Sequence, residues 1–355
     1  MDHNLILVPA VALLVGLGAP ALLRPLLRSL GTYDTPNHRS SHSTTVLRGG
    51  GIAPAGGVVA AVAAAWAILF GHTPHGVAIV ALTVLSAAVL GALEDIRGVS
   101  VRVRAACQLA IGLGCSLSVV LVHGAPWWLA PLGAIAVAGY INVANFMDGV
   151  NGISSLHGLA TGGVFALVGA VTQTSWLVVA GLALAAAYLA FLPWNLFGRR
   201  MFLGDVGSYA LGAAVASLSL VAVATGVPPL AALAPLAVYL ADTASTFFRR
   251  LARGASWHEA HREHAYQAHV VAGRSHLFSA ALTFVLTVGC GLLGLASLGA
   301  TPFGVAACLA GVLALGVVHV VLPRALSAFS ADADTSSASS PATAAARVPT
   351  ATGAP

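Results

Sequence analysis

The stretch GVAIVALTVLSAAVLGALEDIRGVSVRVR, residues 76–104, decides the fold. Its first part, residues 76–93, has no charged residue and is long enough to cross a bilayer as a helix, which takes roughly 20 residues at ~1.5 Å rise per residue. Two carboxylates, Glu94 and Asp95, follow at once, and three arginines come soon after them. This change from apolar to charged sequence predicts a membrane helix that ends at the bilayer surface.

The same pattern repeats along the chain. Of its 355 residues, 58% are hydrophobic and 8% are charged, and the mean hydropathy is +0.90, whereas soluble proteins carry about 25% charged residues. The apolar blocks have helical lengths and no period-2 alternation, which favours a helical bundle over a barrel. We therefore predict an all-α membrane protein with about 11 transmembrane helices, at 4–23, 51–70, 76–93, 105–122, 125–142, 156–171, 175–193, 207–226, 228–247, 277–299 and 302–322.

The basic residues predict the orientation. All 16 are arginines, and each lies between an odd-numbered block and the next even-numbered one, or after the last block. By the positive-inside rule, this distribution predicts an N-out/C-in topology with cytoplasmic arginine loops, so the basic charge requires no nucleic-acid partner. The first block has its arginines after it, which favours an anchor over a cleaved signal peptide. We expect one polytopic domain over 1–325 and a disordered cytoplasmic tail, rich in Ser, Thr, Ala and Pro, over 326–355.

The polar residues concentrate in the loops that we predict to be cytoplasmic. A transporter usually buries ionisable groups near the bilayer midplane, but Asp242 is the only carboxylate inside a predicted span. In the first loop, Asp34-Thr-Pro-Asn-His-Arg-Ser-Ser-His42 precedes Arg48-Gly-Gly-Gly51. These glycines either let the backbone approach a ligand closely or pack the next helix against a neighbour.

The second loop brings two carboxylates and several arginines together. Glu94 and Asp95 repel each other unless a cation offsets their charge, and Arg102 and Arg104 follow them. Either Mg²⁺, which prefers hard oxygen ligands, or a solvated charged turn would account for this pattern.

The third and fourth loops hold amides and carboxylates beside lipid, where polar groups without partners are costly. Asn142 and Asn145 are three residues apart and would share one face at the end of a helix, and Asp148 and Asn151 follow in turn dipeptides. The stretch Phe202-Leu-Gly-Asp-Val-Gly-Ser208 opens a helix and offers Asp205 to a metal and N–H groups to phosphate oxygens. Capping of the helix by Ser208 is compatible with that role.

The fifth loop is the longest and contains His261 and His264, interleaved with Glu259 and Glu263. Two histidines at this spacing do not form the HExxH motif, and no third or fourth zinc ligand is evident. The density of Arg and His favours an anion site, with zinc or an interfacial helix on lipid headgroups as alternatives.

Five of these motifs, in order, resemble those of the polyprenyl-phosphate N-acetylhexosamine-1-phosphate transferases. That family includes peptidoglycan translocase I and the initiators of O-antigen, enterobacterial common antigen and teichoic acid synthesis. The resemblance covers residues 1–325. It rests on the first-loop motif, on Glu94-Asp95, on Asn142-x-x-Asn145-Phe-Met-Asp148-Gly-x-Asn151-Gly, on Phe202-x-Gly-Asp205-x-Gly-Ser, and on His261-Arg-Glu-His264-Ala-Tyr-Gln, whose form is similar to that of the O-antigen initiators.

The resemblance implies a reaction at the cytoplasmic face of a bacterial inner membrane. The phosphate of undecaprenyl (polyprenyl) phosphate would attack the β-phosphorus of a UDP-N-acetylhexosamine, releasing UMP and starting a cell-envelope polysaccharide of the O-antigen type. It implies Mg²⁺, with Mn²⁺ as an alternative, and leaves a homodimer open.

The resemblance also implies roles for individual residues. Asp205 would be the direct metal ligand, and Asp95, with Glu94, would help to place the metal or deprotonate the lipid phosphate. Asn145 and Asp148 would hold the nucleotide-sugar, with Asn151 beside them. Phosphate contacts would come from Arg102, Arg104, His261, His264 and, more weakly, Arg48.

Two departures from the family pattern matter. Glu94 replaces the first Asp of a pair and keeps the carboxylate, whereas Asn151 replaces an Asp and removes a negative charge. Asn151 would alter metal affinity or sugar choice, or mark a catalytically silent homologue. That homologue and a polytopic transporter of a phosphorylated solute are the alternatives to the enzyme.

Overall fold

The structure, a computed structural model, describes residues 6–35, 44–66, 75–197, 201–254 and 262–338. Over these residues it is almost entirely helical, with one two-stranded antiparallel sheet of β1 (Tyr33–Asp34) and β2 (Val46–Leu47). The helices are α1 (Leu7–Ser29), α2 (Ile52–Ala65), α3 (His75–Arg97), α4 (Val101–His123), α5 (Leu129–Phe146), α6 (Ile153–Val171), α7 (Ser175–Leu196), α8 (Gly204–Ala224), α9 (Pro229–Leu233), α10 (Ala237–Ala252), α11 (Ala265–Val271), α12 (His276–Ala296) and α13 (Pro302–Ala338).

The prediction of an all-α polytopic membrane protein is confirmed. Ten helical segments among the described residues are long and apolar enough to span a bilayer, counting Pro229–Ala252 as one. The predicted block 51–70 contains α2, which is shorter, and residues 67–74 lie outside the described part of the chain. The count of eleven and the N-out/C-in orientation therefore stay predictions.

Several predicted boundaries differ from the structure. The block 228–247 is divided into α9, a 3₁₀ turn at Ala234–Leu236 and α10, because Pro235 has no N–H to continue the helical hydrogen bonds. Helix α13 continues to Ala338, past the position 326 at which we expected a disordered tail to begin. Residues 339–355 of that tail are outside the described residues.

Helix α8 is the centre of the bundle, and almost all of its residues are buried. It packs against α3 and α5, whereas α1, α4 and α13 present mostly exposed apolar faces, as expected of helices in contact with lipid. Gly91 permits the close α3–α8 contact, since a Cβ atom there would lie 2.6 Å from Cα of Val206 and closer still to the backbone of Asp205. This crossing brings the charged end of α3 to the first residues of α8.

Candidate active site

The end of α3 and the beginning of α8 are joined by one carboxylate. Asp95 Oδ1 accepts a hydrogen bond from the backbone N–H of Asp205 at 3.0 Å, and Oδ2 accepts one from that of Val206, also at 3.0 Å. The first N–H groups of a helix have no partner within it and carry partial positive charge, so an acidic side chain is stabilised there. Gly204, with φ +74°, lets the chain turn into α8, where a Cβ atom would lie 2.5 Å from Asp95 Oδ2.

The side chain of Asp205 is held by two residues from other parts of the chain. Asn145 Nδ2 donates to Asp205 Oδ1 at 2.6 Å and to Ser208 Oγ at 3.1 Å. Arg48 Nη2 lies 2.8 Å from Asp205 Oδ2, and Arg48 Nε lies 2.7 Å from Asp95 Oδ1. We call Arg48, Asp95, Asn145, Asp205 and Ser208 the Asp205 cluster.

Arg48 reaches the cluster because the chain around it is paired with residues that precede α8. The N–H of Phe202 donates to the carbonyl of Leu47 at 2.8 Å, and the N–H of Gly50 donates to the carbonyl of Phe202 at 2.9 Å. Burial alone would lower the pKa of Arg48, but the carboxylates of Asp205 and Asp95 outweigh that effect and raise it. Arg48 therefore stays charged between two carboxylates that would otherwise repel each other.

Asp148 lies beside the cluster, in the loop between α5 and α6. Ser154 Oγ donates to Asp148 Oδ1 at 2.7 Å. Burial raises the pKa of Asp148 to about 7, the bond from Ser154 works against that shift, and the nearby charge of Asp205 adds to it. Because burial is the main cause of the raised pKa, the ionised carboxylate lacks solvation, and a cation or a hydrogen-bond donor on a substrate would stabilise it.

The other predicted residues of the second loop lie apart from the cluster. Glu94 Oε1 is 3.0 Å from Arg104 Nη1, and Glu94 Oε2 accepts from the N–H of Val99 at 2.7 Å. Arg102 is exposed. Neighbouring residues on an α-helix point about 100° apart, so Glu94 and Asp95 face different partners. Their joint role at the metal stays a prediction.

The remaining residues of the third loop support its backbone. The N–H of Asn151 donates to His276 Nδ1 of α12 at 3.1 Å. Asn195 accepts a hydrogen bond from the N–H of Gly152 and donates to the carbonyl of Met201 at 3.1 Å. The sequence motifs assign no role to Asn195, although an amide at the end of an apolar helix is a signal that could have indicated this contact.

The fifth loop contributes only in part to the described structure. His261 is outside the described residues. His264 is 5% exposed, and its Nδ1 lies 3.1 Å from Asp242 Oδ1. His319 of α13, which the sequence reasoning missed, also contacts Asp242. Glu263 pairs with Arg250 at 2.6 Å and with Arg253.

The oxygen atoms of the Asp205 cluster are compatible with a hard divalent cation. Mg²⁺ is usually bound through one or two carboxylates, with substrate phosphates and water completing its octahedron. Among the described residues, no group of three or more His, Cys, Asp or Glu side chains could hold a metal by itself. The cluster offers two carboxylates for this role: Asp205, whose oxygens contact Asn145 and Arg48, and Asp95, whose oxygens accept hydrogen bonds from α8.

Comparison with known proteins connects this geometry to a family. The model of glycosyl transferase family 4 matches residues 77–223. Over 296 residues, the chain is 31% identical to an undecaprenyl-phosphate alpha-N-acetylglucosaminyl 1-phosphate transferase of Escherichia coli K12, covering 74% of each chain. The chain belongs to the polyprenyl-phosphate N-acetylhexosamine-1-phosphate transferase family. The resemblance seen in the sequence motifs is thereby confirmed.

Other members of the transferase family match over similar lengths. The chain is 26% identical over 307 residues to a probable undecaprenyl-phosphate N-acetylglucosaminyl 1-phosphate transferase of Bacillus subtilis, covering 81% of this chain and 84% of that protein. It is 29% identical over 291 residues to an undecaprenyl-phosphate alpha-N-acetylglucosaminyl 1-phosphate transferase of Salmonella typhi, covering 75% of each. The segment matched by the transferase-family model includes most of the Asp205 cluster, but not Arg48 or α11.

Proposed function

We propose that this chain transfers an N-acetylhexosamine 1-phosphate from a UDP-sugar to undecaprenyl phosphate in a reaction that requires Mg²⁺. The observation that carries the proposal is the convergence of Arg48, Asn145 and Asp205, with Asp148 beside them, at one end of the bundle. The names of the related transferases support undecaprenyl phosphate as the acceptor and a sugar 1-phosphate as the transferred group.

In the proposed reaction an oxygen of the lipid phosphate attacks the β-phosphorus of the donor. The bond from that phosphorus to the oxygen it shares with the α-phosphorus breaks, and UMP leaves with that oxygen. A phosphate monoester has its second pKa near ~6, so most of the acceptor is already dianionic at neutral pH. The main task of the site is therefore to bring several negative phosphates together.

We assign a separate role in this reaction to each residue of the site. Asp205 would hold Mg²⁺, which offsets the phosphate charge when it is bound. Asn145 and Arg48 fix the two oxygens of Asp205, and Asp95 fixes the start of its helix. These contacts favour a positioning role for Asp95 over the alternative of a general base. Asp148, beside the Asp205 cluster, would accept a hydrogen bond from the nucleotide-sugar.

The remaining roles follow from charge and exposure. Arg102, Arg104 and His261 remain candidates for phosphate contacts, and the prenyl tail would lie along the apolar faces of the bundle. The arginine loops support a reaction at the cytoplasmic face of a bacterial inner membrane. We propose initiation of an O-antigen-type polysaccharide, with UDP-GlcNAc, UDP-GalNAc or a 6-deoxy-N-acetylhexosamine donor. The homodimer stays a prediction.

Release of UMP tests the proposal. Purified protein is incubated with undecaprenyl phosphate and a panel of UDP-N-acetylhexosamines, with Mg²⁺ or with a chelator. We expect UMP only when the lipid, one donor and Mg²⁺ are all present, and at least a ~100-fold loss in Asp205→Ala. Ser116→Ala is the control, because Ser116 Oγ donates to the carbonyl of Ala130 between α4 and α5, away from the Asp205 cluster.

Two results would contradict the proposal. Folded protein that releases no UMP with any donor would indicate a silent homologue. Movement of an intact phosphorylated solute across vesicles without UMP release would indicate a transporter.

A further inference from the structure

Asp242 of α10 is a fully buried carboxylate that accepts five hydrogen bonds. Its Oδ1 accepts from the N–H of Ala265 at 3.0 Å, from His264 Nδ1 at 3.1 Å and from Thr246 Oγ1 at 3.4 Å, and its Oδ2 accepts from the N–H of Tyr266 at 3.1 Å and from His319 Nε2 at 3.0 Å. A buried carboxylate is costly unless it is fully hydrogen-bonded. The donors come from α10, α13 and the beginning of α11, so this side chain joins three elements.

Asp242 binds the beginning of α11 in the way that Asp95 binds the beginning of α8. In each case, the two oxygens accept from two consecutive backbone N–H groups at a helix N-terminus. Asp95 thereby fixes the helix that carries Asp205, a residue of the proposed reaction. By the same arrangement, Asp242 fixes α11 and the residues that this helix carries.

Tyr266 of α11 contacts the loop that carries Asp148. The hydroxyl of Tyr266 donates to the carbonyl of Phe146 at 2.8 Å. This hydroxyl also lies against Gly149, where an added Cβ atom would collide with it. Two hydrogen bonds fix Tyr266 itself, from its N–H to Asp242 and from Ser279 Oγ to its carbonyl at 2.7 Å. Asp148 is therefore flanked on both sides by backbone that Tyr266 contacts.

We propose that Asp242, together with His264 and His319, is a positioning unit that holds Tyr266 of α11 against the Asp148 loop. Its importance for turnover rests on the proposed transferase function, while its effect on the loop does not. In this unit His264 and His319 donate to Asp242, so the hydrogen on each of these ring nitrogens is required. His264 thus acts through α11, in place of the direct phosphate contact that the sequence motif suggested.

Hydrogen exchange of the purified full-length protein tests the unit without any substrate. In Asp242→Asn, one oxygen of the acceptor pair becomes an amide nitrogen that cannot accept. Exchange should then rise about fivefold or more in both residues 265–271 and residues 146–152. Tyr266→Phe removes the hydroxyl and its contacts with the loop at Phe146 and Gly149, but leaves the bonds from Asp242 to the beginning of α11. Exchange should therefore rise in 146–152 alone. Ser116→Ala, which also removes a hydroxyl-to-carbonyl bond between elements, should change neither segment.

Unchanged exchange of residues 146–152 in Tyr266→Phe would overturn the inference, even if Asp242→Asn failed to fold. The same result in Asp242→Asn, with exchange of residues 265–271 raised, would also overturn it. If the variants show the expected rise in exchange but the wild-type protein releases no UMP, the positioning unit still stands, because the exchange measurements use no substrate. Failure of the proposed function is therefore distinguishable from failure of the positioning unit.

Turnover of the wild-type enzyme and the variants gives the second readout. We expect kcat, per folded molecule, to fall about tenfold in Asp242→Asn and in Tyr266→Phe, since a displaced residue loses its orientation toward the substrate. The kcat of the double variant should equal that of the less active single variant, because both changes act through one contact. A kcat loss in the double variant equal to the product of the two single losses would overturn the inference, since it would mean that the two residues act independently.

Discussion

Arg48 contacts both Asp95 and Asp205, although it lies far from either in the sequence. Its Nε and Nη2 atoms bind one carboxylate each, a fork that a lysine ammonium cannot reproduce. We expect Arg48→Lys to lower kcat/KM of UMP release about tenfold or more. Arg97→Lys serves as the matched control, because Arg97 is exposed, and its substitution should change kcat/KM less than about threefold. Equal losses in both variants would mean that the fork is not what the reaction needs.

Asp148 gives a prediction about pH and stability. Because burial in the folded protein raises the pKa of Asp148 from its ordinary value of ~4 to about 7, ionisation of Asp148 disfavours folding. This destabilisation is absent below the unfolded pKa of about 4, grows between pH 4 and 7, and is complete above 7. Asp148→Asn removes it, so without Mg²⁺ or substrate its Tm should exceed that of the wild type by about 2–4 °C or more at pH 8. The difference should shrink as the pH falls toward 4, while UMP release at pH 8 is lost.

Glu263→Gln is the control of opposite sign for that experiment. Slight burial works against ionisation of Glu263, but Arg253 and Arg250 outweigh it and lower its pKa. A lowered pKa contributes stability that is present above the usual value and lost as the pH falls. The substitution should therefore leave Tm unchanged or lower at pH 8. A rise in Tm for both variants would show that removal of any carboxylate stabilises the protein.

Sequence motifs predicted which residues form the Asp205 cluster better than what each does there. Asp205, Asn145 and Asp95 were expected at one site and lie together. The sequence could not indicate that Asp95 faces α8 while Glu94 faces Arg104, because that depends on the rotation of α3 about its axis. Nor could it indicate that His264 turns toward Asp242, since the two are joined only by the packing of α10 and α11.

At the scale of elements, the contact between α3 and α8 sets the geometry of the site. Gly91→Ala would place a methyl group against the backbone of Asp205 and Val206, which cannot move without moving α8. Overpacking of this kind costs about 1–3 kcal/mol, so we expect a lower Tm and reduced UMP release. In Gly114→Ala the added methyl group meets nothing within 4 Å, and alanine favours a helix. This control should keep its activity and lose no stability; similar losses in both variants would contradict the argument.

Helix positions were predictable from the apolar blocks, while their ends were not. Helix α5 runs on to Phe146, because Asn142 and Asn145 find polar partners in Gln108 and Asp205. A single sequence does not show these contacts, so hydropathy predicts that the span ends at 142. The break in 228–247 follows from Pro235 and could have been placed from the sequence. Helix α13 continues beyond its apolar block, where hydropathy no longer indicates the structure.

At the scale of the whole molecule, the arginines predict which end of the bundle faces the cytoplasm. The Asp205 cluster and the beginning of α11 lie at helix ends on the same side as the arginines, such as Arg48 and Arg104. Connections at the opposite ends, such as that between α12 and α13, carry no arginine. If the positive-inside rule holds, both the proposed donor, a soluble nucleotide-sugar, and the leaving UMP remain in the cytoplasm.

Labelling of single cysteines tests this orientation. After replacement of the four native cysteines by alanine, Thr301→Cys and Ala252→Cys each introduce a thiol at an exposed position, at opposite ends of the bundle. We expect a membrane-impermeant thiol reagent to label Thr301→Cys in intact spheroplasts. It should label Ala252→Cys only after the membrane is permeabilised, because that residue is the last of α10 and lies on the arginine-rich side. The reverse pattern would put Asp205 outside the cell and remove its access to a UDP-sugar, whatever the purified protein did in detergent.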